Sequence, residues 1–280
     1  MTSNDPPLPT VASGRLRVPR RSEFLLEMFA LFAVIVAVHA VYTVVVRPHA
    51  VAILAQQQAA MALDKNFVPE RTWWVIAKDP EQETCFILAI WAAFVMGWRA
   101  RAALQARRQL ERDFLHLPDG MRVLPEDARE YLRQIESLPD GERGHLLPRA
   151  LHTALERFGA TRSVQDASAA ARNVCGMENE RMDAELSMVR FVAWAIPSIG
   201  FVGTVRGIGE SLQQAHKAIE GDVSGVTAGL GVSFNSTLIA LSLSILVMFL
   251  LHQLQLLQER LVLDTENHVD ERLLRHLHVH

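Results

Sequence analysis

The residues in this sequence that can do chemistry are hydroxyl side chains spaced along an apolar segment near the C-terminus. Ser233, Thr237, Ala240 and Ser244 follow one another at intervals of 4, 3 and 4, which aligns them on one face of a helix. Hydroxyls on such a face can hold water, relay a proton or coordinate a small cation, but they do not titrate near neutral pH. The candidates for an ion pathway in this segment are Ser233, Asn235, Ser236 and Thr237.

An earlier apolar segment combines another hydroxyl with a face of glycines. The glycines lie in one helical sector, where missing side chains let a neighbouring helix approach closely, and a proline frees backbone groups that need a partner inside a membrane. Taken alone, this segment could equally well be a helix-packing face or part of an ion pathway. If the two segments run antiparallel, Thr204 reaches the depth of Thr237 and joins the candidate ion pathway. The helix-packing candidates are Pro197, Gly200, Gly203 and Gly207.

A charged pair follows these glycines at one end of the segment. Arg206 and Glu210 are spaced i,i+4, so their side chains can meet on one helix face. Arg206 can alternatively extend toward the membrane surface or influence ion entry. The spacing favours the pair with Glu210, and both residues are candidates for the ion entrance.

These two segments carry a resemblance to a known family. The pattern Pro-x-x-Gly-x-x-Gly-Thr-Val-x-Gly-Ile at 197–208 resembles the second membrane helix of ExbB and TolQ. The stretch 236–241 is similar to part of their third membrane helix, and the resemblance extends over about 188–262. It places Thr204 and Thr237 at the two pore threonines of the MotA/TolQ/ExbB proton channel family.

The sequence also departs from the family's pattern. ExbB and TolQ carry a glutamate five residues before the second threonine, where this chain has Val232. Ile245 stands nearest to the position of a proline in their third helix, and Arg206 replaces an apolar or aromatic residue. The resemblance therefore implies a pore wall without an acid deep in this helix.

The elements that must position these residues are membrane helices. Half of the 280 residues are hydrophobic, the mean hydropathy is +0.13, and apolar runs alternate with polar stretches. The run 24–46 is long enough to cross a bilayer, whereas 85–98 is short and needs its flanking arginines to qualify as a span. Glu27 and His39 interrupt the first run, and we expect them to face other helices or an interface. The third and fourth spans are predicted at 188–208 and 226–251, with a helix continuing beyond Leu251.

The fold class predicted from these runs is an all-α integral membrane protein. It has four transmembrane helices and a helical cytoplasmic domain between spans two and three. The protein is expected in a bacterial inner membrane. Basic clusters beside the first two spans predict that both termini face the cytoplasm. The predicted parts are a tail at 1–23, a transmembrane hairpin at 24–98 with a periplasmic loop at 47–83, a cytoplasmic segment at 99–187, a pore hairpin at 188–251 and a C-terminal helix and tail at 252–280.

Several other classes of function are disfavoured. The net charge of −3 argues against nucleic acid as the main partner, and no grouping of nucleophile, base and acid indicates an enzyme. The glycines between Gly203 and Ser211 lack the lysine of a phosphate loop. No cofactor is expected. The two cysteines suggest neither a disulfide nor a zinc site, and the alternating histidines at the C-terminus are best explained as a solvated tail: Cys85, Cys175, His276, His278 and His280.

The resemblance implies a stator, in which a homopentamer of this subunit surrounds a dimer of a single-span partner. That partner would be ExbD/TolR/MotB-like, with a membrane aspartate that carries H⁺ or Na⁺ and drives mechanical work. The four-span layout looks more like MotA, or like the channel subunits of Zorya-type defence systems. The alternative is a non-conducting inner-membrane scaffold that docks a cytoplasmic partner.

Overall fold

The computed structural model describes residues 21–63, 67, 70–118 and 121–279. Within these residues the chain is helical almost throughout and forms no strand, apart from one isolated β-bridge between Val123 and Leu277. Four helical stretches among the described residues are long and apolar enough to cross a membrane. The predicted number of spans is thereby confirmed. The tail predicted at 1–23 lies almost entirely outside the described residues.

The helices are numbered in chain order. Span one consists of α1, a π-helical turn and α2; span two is α4; α9 and α11 carry spans three and four. Their bounds are α1 Arg21–Val41, the π turn Tyr42–Val46, α2 Arg47–Leu63, α3 Trp73–Ile76, α4 Pro80–Arg108, α5 Ala128–Glu136, α6 Asp140–Arg143, α7 Leu146–Thr161, α8 Val164–Glu185, α9 Ser187–Gln213, α10 Ala215–Ile219 and α11 Ser224–Arg272.

Span two is longer than the apolar run at 85–98 suggested. Helix α4 has 29 residues, or roughly 44 Å at 1.5 Å per residue. It is therefore long enough to cross the bilayer without the help of arginine side chains that extend toward the membrane surface. It begins at Pro80, a residue suited to the first helical turn. The side chain of Gln82 reaches back, and its Oε1 accepts a hydrogen bond of 2.7 Å from the Asp79 N–H. This start lies inside the segment predicted as a loop at 47–83, and α2 occupies much of the rest.

The membrane helices form an antiparallel bundle in which α9 packs mainly against α11, and α4 packs against both. Helix α1 packs chiefly against α4. The buried residues at the centre of the bundle come from these three central helices and include Ala92, Val189, Ile196, Ala240 and Val247. The mutual packing of α4, α9 and α11 therefore positions the hydroxyl face predicted above.

Ion pairs mark the two ends of the bundle. At one end, Arg99 of α4 binds Glu27 of α1 at 3.0 Å and Glu185 of α8 at 2.7 Å. At the other end, Glu83 of α4 lies 2.6 Å from His39 and 2.7 Å from Arg47. Glu83 and Arg99 are separated by roughly 24 Å along α4, close to the thickness of the hydrocarbon core. Glu27 and His39 therefore face another helix, as predicted.

The helices between spans two and three have a second core of their own. Phe158, Leu151 and Leu155 of α7 are fully buried there, together with Ile135 of α5 and Cys175 of α8. The C-terminal part of α11 packs on this core through Val262 and Val269, so the fourth span continues as one helix of 49 residues. The predicted continuation of α11 is confirmed.

The C-terminal histidines do not lie on a free, solvated tail. The Val123 N–H donates to the His276 carbonyl at 2.8 Å, and the His278 N–H donates to the Val123 carbonyl at 3.1 Å. Leu277, between the two histidines, is buried in the second core. The prediction of a solvated tail is thus wrong for 276–278, because the apolar Leu277 docks the segment. His280 lies outside the described residues.

Candidate functional site

Thr204 of α9 and Thr237 of α11 meet across the interface of the two helices. Their hydroxyl oxygens are in hydrogen-bond contact. Thr204 Oγ1 also lies 3.2 Å from both the Gly200 and the Ser233 carbonyl oxygens, and Thr237 Oγ1 lies 3.3 Å from that of Ser233. In return, Ser233 Oγ donates to the Thr204 carbonyl at 3.0 Å. The structure thus joins Ser233, Thr204 and Thr237 in one network.

Glycines allow this close approach of the two helices. A Cβ atom at Gly207 would lie 2.5 Å from the Gly229 carbonyl oxygen and 2.7 Å from the Ser233 backbone nitrogen. A Cβ at Gly203 would lie 2.6 Å from the side chain of Ser236, and one at Gly200 would collide with Ala240. The predicted packing face is therefore filled by α11 of the same chain. Its glycines allow α9 and α11 to pack closely within one subunit.

Pro197 frees a carbonyl that the fourth span satisfies. A proline has no N–H, so the Ala193 carbonyl four residues earlier loses its helical partner. Ser244 Oγ of α11 donates to this carbonyl at 3.1 Å. Ser244 is buried, and its hydroxyl replaces the missing helical bond where no lipid group could do so. The partner needed by the freed carbonyl therefore lies within the chain.

Span two covers one edge of the interface between α9 and α11. Gln82 is fully buried, and its Nε2 lies 3.4 Å from Ser236 Oγ. The side chain of Glu81 lies beside Gly203. Successive residues of a helix point about 100° apart, so Thr204 and Thr237 lie on a different side of their helices from Gly203 and Ser236. Both threonines remain half-buried. The threonine pair therefore lies on the edge that span two leaves open.

Arg206 joins spans two and three at the end of the bundle near His39. Its guanidinium binds both carboxylate oxygens of Glu81, at 2.7 and 2.9 Å, and Glu210 at 2.7 Å. It also lies 3.9 Å from Asp79. The favoured pair with Glu210 is confirmed. The bidentate partner Glu81 was missed, because it was assigned to a loop. An Asp-Pro-Glu-Gln sequence, typical of a helix start, was the signal available.

Asn235 is set apart from this network. It is half-buried in the middle of the apolar part of α11, and among the described residues its side-chain amide has no hydrogen-bond partner. Ser236, its neighbour, is held by Gln82 on the covered edge. The structure therefore brings only three of the candidate hydroxyls together. It places Ser236 and Asn235 on other sides of α11.

The arginine cluster makes a testable contribution to stability. We expect Arg206→Met to lower the free energy of unfolding by roughly 2 kcal/mol, because the Glu81 side chain, which is only 11% exposed, loses its partner; the value allows for the partial exposure of Arg206. Arg190→Met is the matched control, since its bidentate partner Asp183 is exposed, and it should cost under about 1 kcal/mol. Thermal unfolding of the purified subunit measures both. Equal losses would contradict a clamp at Arg206.

The second half of the chain has a recognisable family signature. Residues 143–267 match the family model of the MotA/TolQ/ExbB proton channel family. This part of the chain is similar to that family. The match includes α7 to α10 and most of α11, and it leaves out spans one and two. No curated protein and no solved structure matches the chain.

The match to the MotA/TolQ/ExbB family, a family of channels and not of enzymes, supports a proton-channel role in general. The family works with single-span partners. In this chain no Asp, Glu, Lys, Arg or His occurs at 191–205 or at 224–251, so spans three and four supply no ionisable side chain at the depth of the threonines. On span two, the Glu81 carboxylate is held by Arg206, and the Glu83 carboxylate is held by Arg47 and His39.

Proposed function

We propose that this protein is the ion-channel stator subunit of a membrane motor in the bacterial inner membrane. It couples the flow of H⁺, or of Na⁺, to mechanical work through a single-span partner of the ExbD/TolR/MotB type. The observation that carries the proposal is the contact between Thr204 and Thr237 on the open edge of α9 and α11.

The geometry of the open edge suits an ion pathway formed with a second chain. The hydroxyls of Thr204 and Thr237 can each donate and accept, so they can pass a proton between waters or coordinate a cation. They cannot themselves store a proton near neutral pH. With no ionisable side chain at that depth in α9 or α11, the titrating group must come from the partner. A membrane aspartate on a partner helix is the group that the family resemblance implies.

Asn235 supports an assembly with further protein chains. An amide side chain without a hydrogen-bond partner in hydrocarbon costs several kcal/mol. Since Asn235 is half-buried and joined to no other described residue, a neighbouring chain would remove that cost. This requirement is consistent with the homopentamer that the resemblance implies, in which each subunit contacts its neighbours within the surrounding lipid.

The proposed topology places both termini and the helical segment 99–187 in the cytoplasm. Arg99, Arg101, Arg107 and Arg108 mark the end of span two on that side, in agreement with the enrichment of basic residues in cytoplasmic flanks. The cluster around Arg206 and Glu81 then lies on the periplasmic side, at the entrance to the hydroxyl network. Arg206 and Glu210 would contribute to the electrostatic field of that entrance.

The experiment that tests this function measures ion flux in proteoliposomes. The purified subunit alone should conduct no more than empty liposomes, because its open edge holds no titrating group. The subunit purified with its single-span partner should conduct. Replacing the partner's membrane Asp by Asn should abolish the flux.

Two results would contradict the proposal. Robust flux from the subunit alone would mean that the chain contains its own acid. No flux from the intact complex would favour the alternative of a non-conducting scaffold that docks a cytoplasmic partner through the helices between spans two and three.

A further inference from the structure

An apolar groove lies between the C-terminal part of α1 and the N-terminal part of α4. Its volume is about 520 Å³, within the range of roughly 300–1,000 Å³ typical of small-molecule sites. The walls come from α1 and the π turn on one side and from α4 on the other, and α3 closes one end. The residues that line it include Val34, Val38, Tyr42, Trp74, Phe86 and Ile90.

The groove exists because α1 and α4 are joined by polar contacts at their two ends. Near one end, the Trp91 Nε1–H donates to the Glu27 carbonyl at 3.0 Å, and Arg99 binds the Glu27 carboxylate. Near the other end, Glu83 binds His39 and Arg47. The side chains between these contacts are mostly valine and alanine on α1, which do not fill the space. The groove thus lies at the depth of the hydrocarbon core.

We propose that this groove binds one acyl chain of a phospholipid, in the leaflet that contacts the π turn and α3. Its lining runs from Val34 to Val46, which is roughly 18 Å along the helix, and one leaflet of hydrocarbon is about 15 Å deep. The groove therefore extends from the membrane surface to about the middle of the bilayer, the length of a single chain.

The closed end of the groove has the character of a membrane interface. Trp73 and Trp74 lie there, and the Trp74 ring stacks on His49 at 4.9 Å. Tryptophan is enriched at the level of lipid headgroups. The Arg47 guanidinium is partly exposed and uses one nitrogen for Glu83, so it has further donors for a phosphate or an ester oxygen. The headgroup of the bound lipid lies beside these residues.

The volume of the groove matches a hydrocarbon chain better than a whole protein helix. A helix about 10 Å wide and 18 Å long would occupy roughly 1,400 Å³, well over twice the volume of the groove. A hydrocarbon chain is thinner, and its burial against valine, phenylalanine and isoleucine needs no hydrogen bonds. The bound chain then fills the contact between α1 and α4 that their own side chains leave open.

The test counts phospholipids retained by the purified subunit in mild detergent, using native mass spectrometry. We expect about one retained phospholipid per wild-type subunit and at least a fivefold lower occupancy in Ala37→Phe, whose added ring projects from the wall of the groove. Ala33→Phe is the matched control, since Ala33 is exposed on the same helix and does not line the groove. Ile90→Phe, on the opposite wall, should reproduce the loss if Ala37→Phe folds poorly.

A phospholipid with a photoreactive acyl chain shows where on the subunit the lipid binds. In liposomes it should label the residues that line the groove, and Ala37→Phe should reduce that labelling while Ala33→Phe does not. Equal lipid retention in both phenylalanine variants, or labelling spread evenly around α1, would overturn the proposal in favour of bulk lipid.

Discussion

We expect Thr204→Val and Thr237→Val each to reduce ion flux through the complex about tenfold or more, and the double variant to abolish it. Valine keeps the shape of threonine and removes only the hydroxyl, so the wall loses its proton relay while the packing remains. A loss of about 1.4 kcal/mol, comparable with one hydrogen bond, corresponds to a tenfold change in rate. Thr237→Ser should keep substantial flux because it retains the hydroxyl next to Thr204.

Ser211→Ala provides the control for this experiment. Ser211 Oγ lies 2.9 Å from the Gly207 carbonyl and 3.0 Å from the Val226 carbonyl, so it also bonds across α9 and α11, but it is buried away from the threonine pair. The substitution should leave flux within about twofold of wild type. Flux is measured in proteoliposomes with the partner present, and assembly is checked on the same samples. Wild-type flux in the double valine variant would exclude the threonines from the pathway.

The second large effect is expected from Gly207→Ala. The added methyl carbon would lie 2.5 Å from the Gly229 carbonyl oxygen, and backbone cannot rotate aside as a side chain can. The helices α9 and α11 must separate by roughly 1 Å to restore ordinary contact, which should cost about 3 kcal/mol and break the hydrogen bonds of the threonine pair. We expect a lower yield of folded subunit and a lower unfolding temperature.

Gly209→Ala is the matched variant on the same helix. A Cβ at Gly209 meets nothing within 4 Å, so the alanine should be tolerated, and its higher helix propensity can even stabilise α9. Size-exclusion chromatography and thermal unfolding of the two proteins in detergent give the comparison. If Gly207→Ala unfolds at the same temperature as Gly209→Ala, the close contact seen here does not contribute to stability.

The sequence predicts the membrane helices and the family motif because both depend on local patterns. A run of about twenty apolar residues identifies a span wherever it occurs, and the glycine and threonine spacing at 197–208 belongs to one helix. The pair of Arg206 and Glu210 is likewise local, at i,i+4. The apolar run by itself does not show where span two begins, although Asp79, Pro80 and Gln82 form a recognisable helix start.

The tertiary structure decides which of these residues contact one another. The sequence alone shows neither that Glu81 of span two binds Arg206 of span three nor that Gln82 covers Ser236. The first contact spans 125 positions of the sequence and the second spans 154. The same holds for Ser244, whose hydroxyl satisfies the carbonyl freed by Pro197. Such contacts depend on the rotation of each helix in the bundle, which the packing of α4 against α9 and α11 determines.

The sequence by itself therefore determined the number of spans, the hydroxyl-bearing face of the fourth span and the absence of an ionisable side chain at 224–251. The tertiary structure determined which edge of that face is open, because span two covers Gly203 and Ser236 and leaves Thr204 and Thr237 half-buried. The physical reason is that helix periodicity is encoded by neighbouring residues, whereas the side of a helix that another helix covers depends on the packing of the whole bundle.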